Sequence, residues 1–221
     1  MIVIIDTETT GIMEPRPVEV AWIKLRDLSL DITETFSQRY NPEKPIGFSA
    51  MATHNILEED VAGMPSYKTF ALPAGTEYII GHKVDYDWEA IGFPEVMRID
   101  TLPMARRIWK DADGHSLGAL AYMLAKDKAK VRELMQSAHS AMTDVKLCRF
   151  VLSRIIKELG ITSWEELWTV SEEYRIPETM PFGKHKGVSI KELPADYVKW
   201  ALGNIEDMDP YLRKALEENY I

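Results

Sequence analysis

The chain opens on an unbroken aliphatic run, Ile2 to Ile5, that stops at acidic and turn residues, as a buried central strand does. The stretches VEVAWIKL (Val18 to Leu25) and TETFSQRY (Thr33 to Tyr40) read as two further strands, and their short connections predict a meander. The pattern then changes. Ser66 to Leu72 has helical spacing, Tyr78 to Ile80 is a short buried strand halted at Gly81, and Tyr86 to Ile91 begins another helix. A strand near Val96 to Ile99 leads into Thr101 to Trp109, where Leu102, Ala105 and Ile108 recur at helical intervals. Three strands followed by strand and helix units predict a mixed sheet flanked by helices.

The longest helix is expected from about Ala141 to Leu159, with Gly160 as its C-terminal stop. Ser163 with Glu166 forms a candidate capping box for a short helix reaching toward Tyr174. Around Arg175 to Thr179 the periodicity lapses and a new unit starts. Its segments MPFGKHKGVSI, ELPADYVKWALGN and DPYLRKALEENY read as a hairpin and two helices packed through Phe182, Tyr197, Trp200, Leu202 and Leu212. These breaks predict a main domain over residues 1–160, a helical connection over 161–177 and a small module over 178–221.

Composition narrows the picture. A chain of 221 residues, 46% of them hydrophobic, can bury a full core. The opening apolar run is too short for a signal-peptide core, and no stretch approaches the length of a membrane span. One cysteine, Cys148, excludes an intrachain disulfide and a cysteine-based zinc site, and a reducing, cytoplasmic setting fits best. The net charge of −9 argues against holding nucleic acid on a broad basic surface. It leaves a nuclease open, because carboxylates that hold divalent metals add to the negative total.

Candidate chemistry centres on those carboxylates. Asp6 and Glu8 follow the first strand two residues apart, so in an extended chain both point the same way and can converge beyond the strand end. The bland alternative is a polar loop capping a strand. On the long helix the apolar stripe runs Ala141, Val145, Cys148, Leu152, Ile155, and Asp144 falls on or beside it. A carboxylate there needs a cationic neighbour, either Arg or Lys or a metal shared with Asp6. His139, just ahead of that helix, is a cap, a surface residue, or a group suited to take a proton from water near neutral pH. Asp85 and Asp87 open a helix after Gly81, where acids are common for electrostatic reasons alone, so one of them can serve only that purpose.

Three blocks, DTETTG at Asp6 to Gly11, G-H-x-x-x-Y-D at Gly81 to Asp87 and H-x-A-x-x-D at His139 to Asp144, in this order and spread over this length, resemble the three motifs of the DEDDh, DnaQ-like 3′→5′ exonucleases. VEVAW around Glu19, NPEKPI, AMATHNI around His54 and IDTLPMARRIW resemble the same family, so the likeness covers about Met1 to Leu159. PFGKHKG followed by DYVKWAL resembles the C-terminal module of one DNA-specific branch of it. The chain departs from the family pattern in carrying Lys83 where Asn is usual and Tyr86 where Phe is usual.

The resemblance implies a ribonuclease H-like α/β fold, with a mixed five-stranded sheet flanked by helices and a small C-terminal α+β module. It implies hydrolysis of terminal phosphodiesters of DNA, at single-stranded or frayed 3′ ends, with release of nucleoside 5′-monophosphates. Two Mg²⁺ or Mn²⁺ ions would be held by Asp6, Glu8, Asp87 and Asp144, with His139 as general base. Thr7, Thr9, Thr10, Met51, His54, Lys83 and Tyr86 would border the terminal nucleotide. Two alternatives stand beside this reading: an exoribonuclease of the same family acting on RNA ends, and a catalytically weak accessory or nucleic-acid-binding subunit. The basic turn Lys184, His185, Lys186 after Phe182 either grips a phosphate strand or is a solvated turn.

Overall fold

The computed structural model of the chain describes residues 1–136 and 140–220. Its strands are β1 (Ile2–Thr9), β2 (Pro17–Leu25), β3 (Ile32–Arg39), β4 (Tyr78–Gly81) and β5 (Met97–Asp100). Its helices are α1 (Phe48–His54), α2 (Glu58–Val61), α3 (Val84–Ala90), α4 (Thr101–Ile108), α5 (Leu117–Leu124), α6 (Lys128–Met135), α7 (Ala141–Leu159), α8 (Trp164–Arg175), α9 (Ala195–Asn204) and α10 (Pro210–Glu218). The strands form one mixed sheet in the order β3-β2-β1-β4-β5, with β1, β2 and β3 an antiparallel meander and β4 and β5 parallel to β1.

The chain divides into two compact units, Met1–Ser171 and Glu172–Ile221. In the first, side-chain alternation along β1 sorts the core into two layers. Val3 and Ile5 join Val20, Trp22, Ile79 and Val84 of α3 on one face. The opposite parity, Ile4 with Asp6 and Glu8, faces α7, which packs along β1 and β2. Helix α7 buries Val145, Cys148, Val151, Leu152 and Ile155. It ends at Gly160, whose positive φ of 65° closes the last turn through a bond to the Ile156 carbonyl.

Three expectations need correction. Ser66 to Leu72 is not a helix but one 3₁₀ turn, Tyr67–Thr69, because the Ser66 side chain caps it and Phe70 resumes an extended backbone. The expected hairpin at Met180 to Ile190 is two 3₁₀ turns, Gly183–His185 and Ile190–Glu192, with a single antiparallel bridge between Thr179 and Ser189. Phe182 and Trp200 do not pack that unit: they are 44% and 53% exposed. Its core is instead aliphatic, built from Met180, Ile190, Val198, Ala201, Leu212 and Leu216. Within this second unit Tyr211 of α10 accepts a bond from Arg175 at 2.9 Å and donates to Glu172 at 3.1 Å, which fixes α10 against the end of α8.

Among the described residues no helix is long and apolar enough to cross a membrane. Because Leu152 is fully buried in the α7 layer, Leu152→Ala should lower the unfolding free energy by about 2–5 kcal/mol, measurable as a lower urea midpoint.

Candidate metal and catalytic centre

Strand β1 outruns its parallel neighbour. Pairing with β4 covers only Ile2 to Ile4, whereas pairing with β2 continues to Thr9. Beyond Ile4 the β4 side of β1 is open, and ligand sites in sheets of this kind form where neighbouring strands part. Gly81 ends β4 at a turn so tight that a Cβ there would stand 3.0 Å from the Val84 side chain. The chain then enters α3 through Lys83, which sits in the left-handed region at φ 73° with its N–H bonded to Asp100 at 2.8 Å. The same Asp100 oxygen also caps α4 through Leu102. One buried carboxylate therefore sets the start of two helices.

The sequence placed Asp6 and Glu8 beyond the strand end, and the structure corrects this: both lie inside β1. Their shared parity holds, and both project toward α7. Asp144, in the first turn of α7, completes a group whose carboxylate oxygens, one from each of Asp6, Glu8 and Asp144, lie within 4.8 Å of one another. Asp87 reaches the centre from α3. Its Oδ1 accepts bonds from the Thr7 N–H at 2.8 Å and the Thr7 hydroxyl at 2.7 Å, so a backbone donor left without a strand partner is satisfied by a side chain. The two acids of α3 separate in role: Asp85 pairs with Arg98 at 2.5 Å, outside the centre.

Crowding is visible in the electrostatics. Burial pushes the Asp6 carboxyl well above the usual range, and the charges of Asp87, Asp144, Glu8 and Glu19 add to it. Glu8 is raised to about 8, by burial first and then by Asp144, Glu19 and Asp87. Burial also raises Asp87, opposed by the two bonds from Thr7. All the donors are carboxylate oxygens, the set that hard divalent cations prefer, and such a cation would remove the repulsion.

Two residues that the sequence reading left without a role shape this centre. Glu19 stands opposite Glu8 across the β1–β2 ladder. One of its oxygens accepts the Ala141 N–H at 3.0 Å and the other pairs with Arg39 at 3.3 Å, so it pins the N-terminus of α7, and with it Asp144, to the sheet. The available signal was parity, since Glu19 interrupts the otherwise apolar VEVAW. His82 bonds Thr101 through Nδ1 at 2.9 Å and donates from Nε2 to the His115 carbonyl at 2.7 Å. Burial lowers it to about 4, so it is a neutral strut.

The other expected site residues are distributed as follows. The Thr9 hydroxyl is hydrogen-bonded to the Tyr86 hydroxyl, which also donates to the Gly11 carbonyl at 3.0 Å. Thr10 accepts the Arg16 N–H at 3.3 Å. His54 donates from Nε2 to the Thr9 carbonyl at 3.1 Å and accepts the Ile56 N–H at Nδ1, so the ring ties the end of α1 to β1. Met51 packs beside Val18, Ile46 and Ile56. Lys83 and Tyr86, with Asp6, Thr7 and Asp87, line a cavity of about 180 Å³, and the Lys83 ammonium lies 5.7 Å from the Tyr86 ring centre. His139 lies outside the described residues.

A model of an exonuclease family (RNase T) matches residues 3–149, and a second model, described as a putative quorum-sensing-regulated virulence factor, matches 174–204. The chain is 27% identical to exodeoxyribonuclease 10 of Escherichia coli K12, over 98% of this chain and 97% of the relative. It is 25% identical to a DNA polymerase III subunit epsilon-like protein of Rhodobacter capsulatus, over 76% of this chain but 26% of that one. Among solved structures it resembles exonuclease X in complex with 5′ overhanging duplex DNA, at a TM-score of 0.62 and 28% identity, covering 77% of this chain and 99% of the other. It shares its fold with the Escherichia coli exonuclease I complex with single-stranded DNA, at a TM-score of 0.59 and 16% identity, covering 79% of this chain and 43% of the other.

The raised carboxyls have a measurable consequence. Between the ordinary glutamate value and about 8, the folded chain holds a proton on Glu8 that the unfolded chain has released. Metal-free stability therefore falls as pH rises through that window and levels above it. In EDTA the thermal midpoint should drop by several degrees from pH 5.5 to pH 8, and Mg²⁺ or Mn²⁺ should restore it more at pH 8 than at pH 5.5, as read by scanning fluorimetry.

Proposed function

The chain belongs to the RNase T exonuclease family, and from that premise we propose that it is a divalent-metal-dependent exonuclease that removes nucleotides from the 3′ ends of DNA, releasing nucleoside 5′-monophosphates. The observation that carries the proposal is the convergence of Asp6, Glu8 and Asp144 within 4.8 Å, where burial and neighbouring charge hold Asp6 and Glu8 reluctant to ionise. Such a cluster is a poor structural element and a good cation cage. DNA as substrate is favoured by the likeness to exodeoxyribonuclease 10 over nearly the whole length of both chains.

Asp6, Glu8 and Asp144 would hold one Mg²⁺ or Mn²⁺, and Asp87, beside Asp6, would hold a second with it. Bound there, the ions would supply Lewis-acid stabilisation of charge on the phosphate. The chain's own residues do the rest. Thr7 orients Asp87 through two hydrogen bonds. Glu19 fixes the helix that carries Asp144. His54 and Tyr86 hold the backbone from Thr9 to Gly11, where the terminal nucleotide would lie, and Lys83 places a cation beside the same cavity for its phosphate. His139, at the foot of α7 in the sequence, would take the proton from the attacking water.

The test is release of mononucleotides from 3′-labelled single-stranded DNA and from its RNA counterpart, with Mg²⁺ or with EDTA. Asp6→Asn should lower turnover about a thousandfold or more, in line with the several kcal/mol that such ions supply. EDTA should abolish turnover. Preferential digestion of RNA would move the substrate assignment to RNA, and binding without cleavage of either strand would refute the enzymatic reading.

A further inference from the structure

Phe182 and Trp200 lie on the outside of the second unit. Phe182, Tyr197 and Trp200 were expected to form its core, yet aliphatic residues and two methionines fill it, and only Tyr197 of the three packs against them, half-buried. Trp200 is 53% exposed and Phe182 44%. The rings here are organised rather than scattered, two half-buried ones leading to the exposed Trp200. His185 packs on Tyr197 with ring centres 4.3 Å apart, and Tyr197 stacks on Trp200 at 5.8 Å with planes 30° apart. The turn Gly183–His185 lies against α9, since a Cβ on Gly183 would come within 3.9 Å of the Tyr197 hydroxyl. The strip therefore runs from that turn along α9 and ends at an open indole face.

Charge follows the strip. Between Phe182 and Trp200 the chain has four lysines against two acids, in a protein whose net charge is −9. Lys184 and Lys186 flank His185 and are exposed. Aromatic faces alternating with lysines are the chemistry that holds single-stranded nucleic acid without reading its sequence, bases stacking on the rings and phosphates meeting the ammonium groups. An apolar protein partner would explain the rings but not the local excess of positive charge.

We propose that this face of the second unit is a binding site for single-stranded nucleic acid, with bases on Trp200 and Tyr197 and phosphates on Lys184 and Lys186. The identity of the ligand rests on the nuclease reading above. The site binds single strands in its own right, so it acts on affinity for long strands and leaves the bond-breaking step alone.

The experiment uses the full chain with Mg²⁺ and two ligands. One is an oligothymidylate of about 20 nucleotides, long enough for a stacking groove, with phosphorothioate linkages that resist hydrolysis. The other is the p-nitrophenyl ester of thymidine 5′-monophosphate, which is small enough to report on the carboxylate centre alone. Trp200→Ala should weaken oligonucleotide binding about tenfold, and Lys184→Gln with Lys186→Gln should flatten its salt dependence. Hydrolysis of the ester should stay at the level of the unaltered chain in both variants. Unchanged oligonucleotide affinity in both variants, or equal loss of binding and ester hydrolysis, would overturn the proposal. A chain that binds the oligonucleotide through Trp200 but hydrolyses neither the ester nor the same oligothymidylate with ordinary phosphodiester linkages would overturn the nuclease reading and leave this site standing.

Discussion

The centre depends on one hydrogen bond that a regular sheet would not contain. Strand β4 stops at Gly81 while β1 runs on to Thr9, and the Thr7 N–H is taken by the carboxylate of Asp87 instead of a strand carbonyl. That bond ties α3 to the open edge of β1 and brings a fourth carboxylate beside Asp6. It also explains why Thr, rather than another β-branched residue, suits position 7, since its hydroxyl makes a second bond to the same oxygen. A valine would keep the strand propensity and lose half of the anchor.

Around that anchor the chain gathers more negative charge than it can hold ionised. Asp87, Asp144, Glu8 and Glu19 come from four different elements, and each raises the cost of charging Asp6. Fixed hydrogen bonds offset part of that cost. Glu19 is stabilised by Arg39 and by the N-terminus of α7, and Asp87 by Thr7. What remains is a standing demand for positive charge, which is how a protein of net charge −9 can accommodate an anionic polymer.

Much of this arrangement was legible in the residues. The aliphatic run of β1, the alternation in β2, the single long helix with an acid on its apolar stripe and the spacing of the acidic blocks led to the right layers and to the carboxylates that meet. Less legible was where strands end. Asp6 and Glu8 looked like loop residues because acids are rare inside central strands, and only the tertiary pairing with β2 keeps them extended. The short helices α1, α2, α5 and α6 left little periodic signal: α5 is almost wholly apolar, so its sequence shows no polar face. In the second unit, large aromatics were read as core because hydrophobicity alone does not distinguish a buried ring from a presented one.

The placement of Asp6 and Glu8 on β1 also bears on how the sheet assembles. A strand can slide by one residue against its neighbour, and each slide exchanges its two faces. For β1 such a slide would drive Asp6 and Glu8 among Val20, Trp22 and Ile79, and turn Val3 and Ile5 toward α7. Two carboxylates in that apolar layer would cost several kcal/mol each or have to be neutralised, so the misaligned sheet is strongly disfavoured. The acids that serve the chemistry thereby also select the alignment of the strand that carries them.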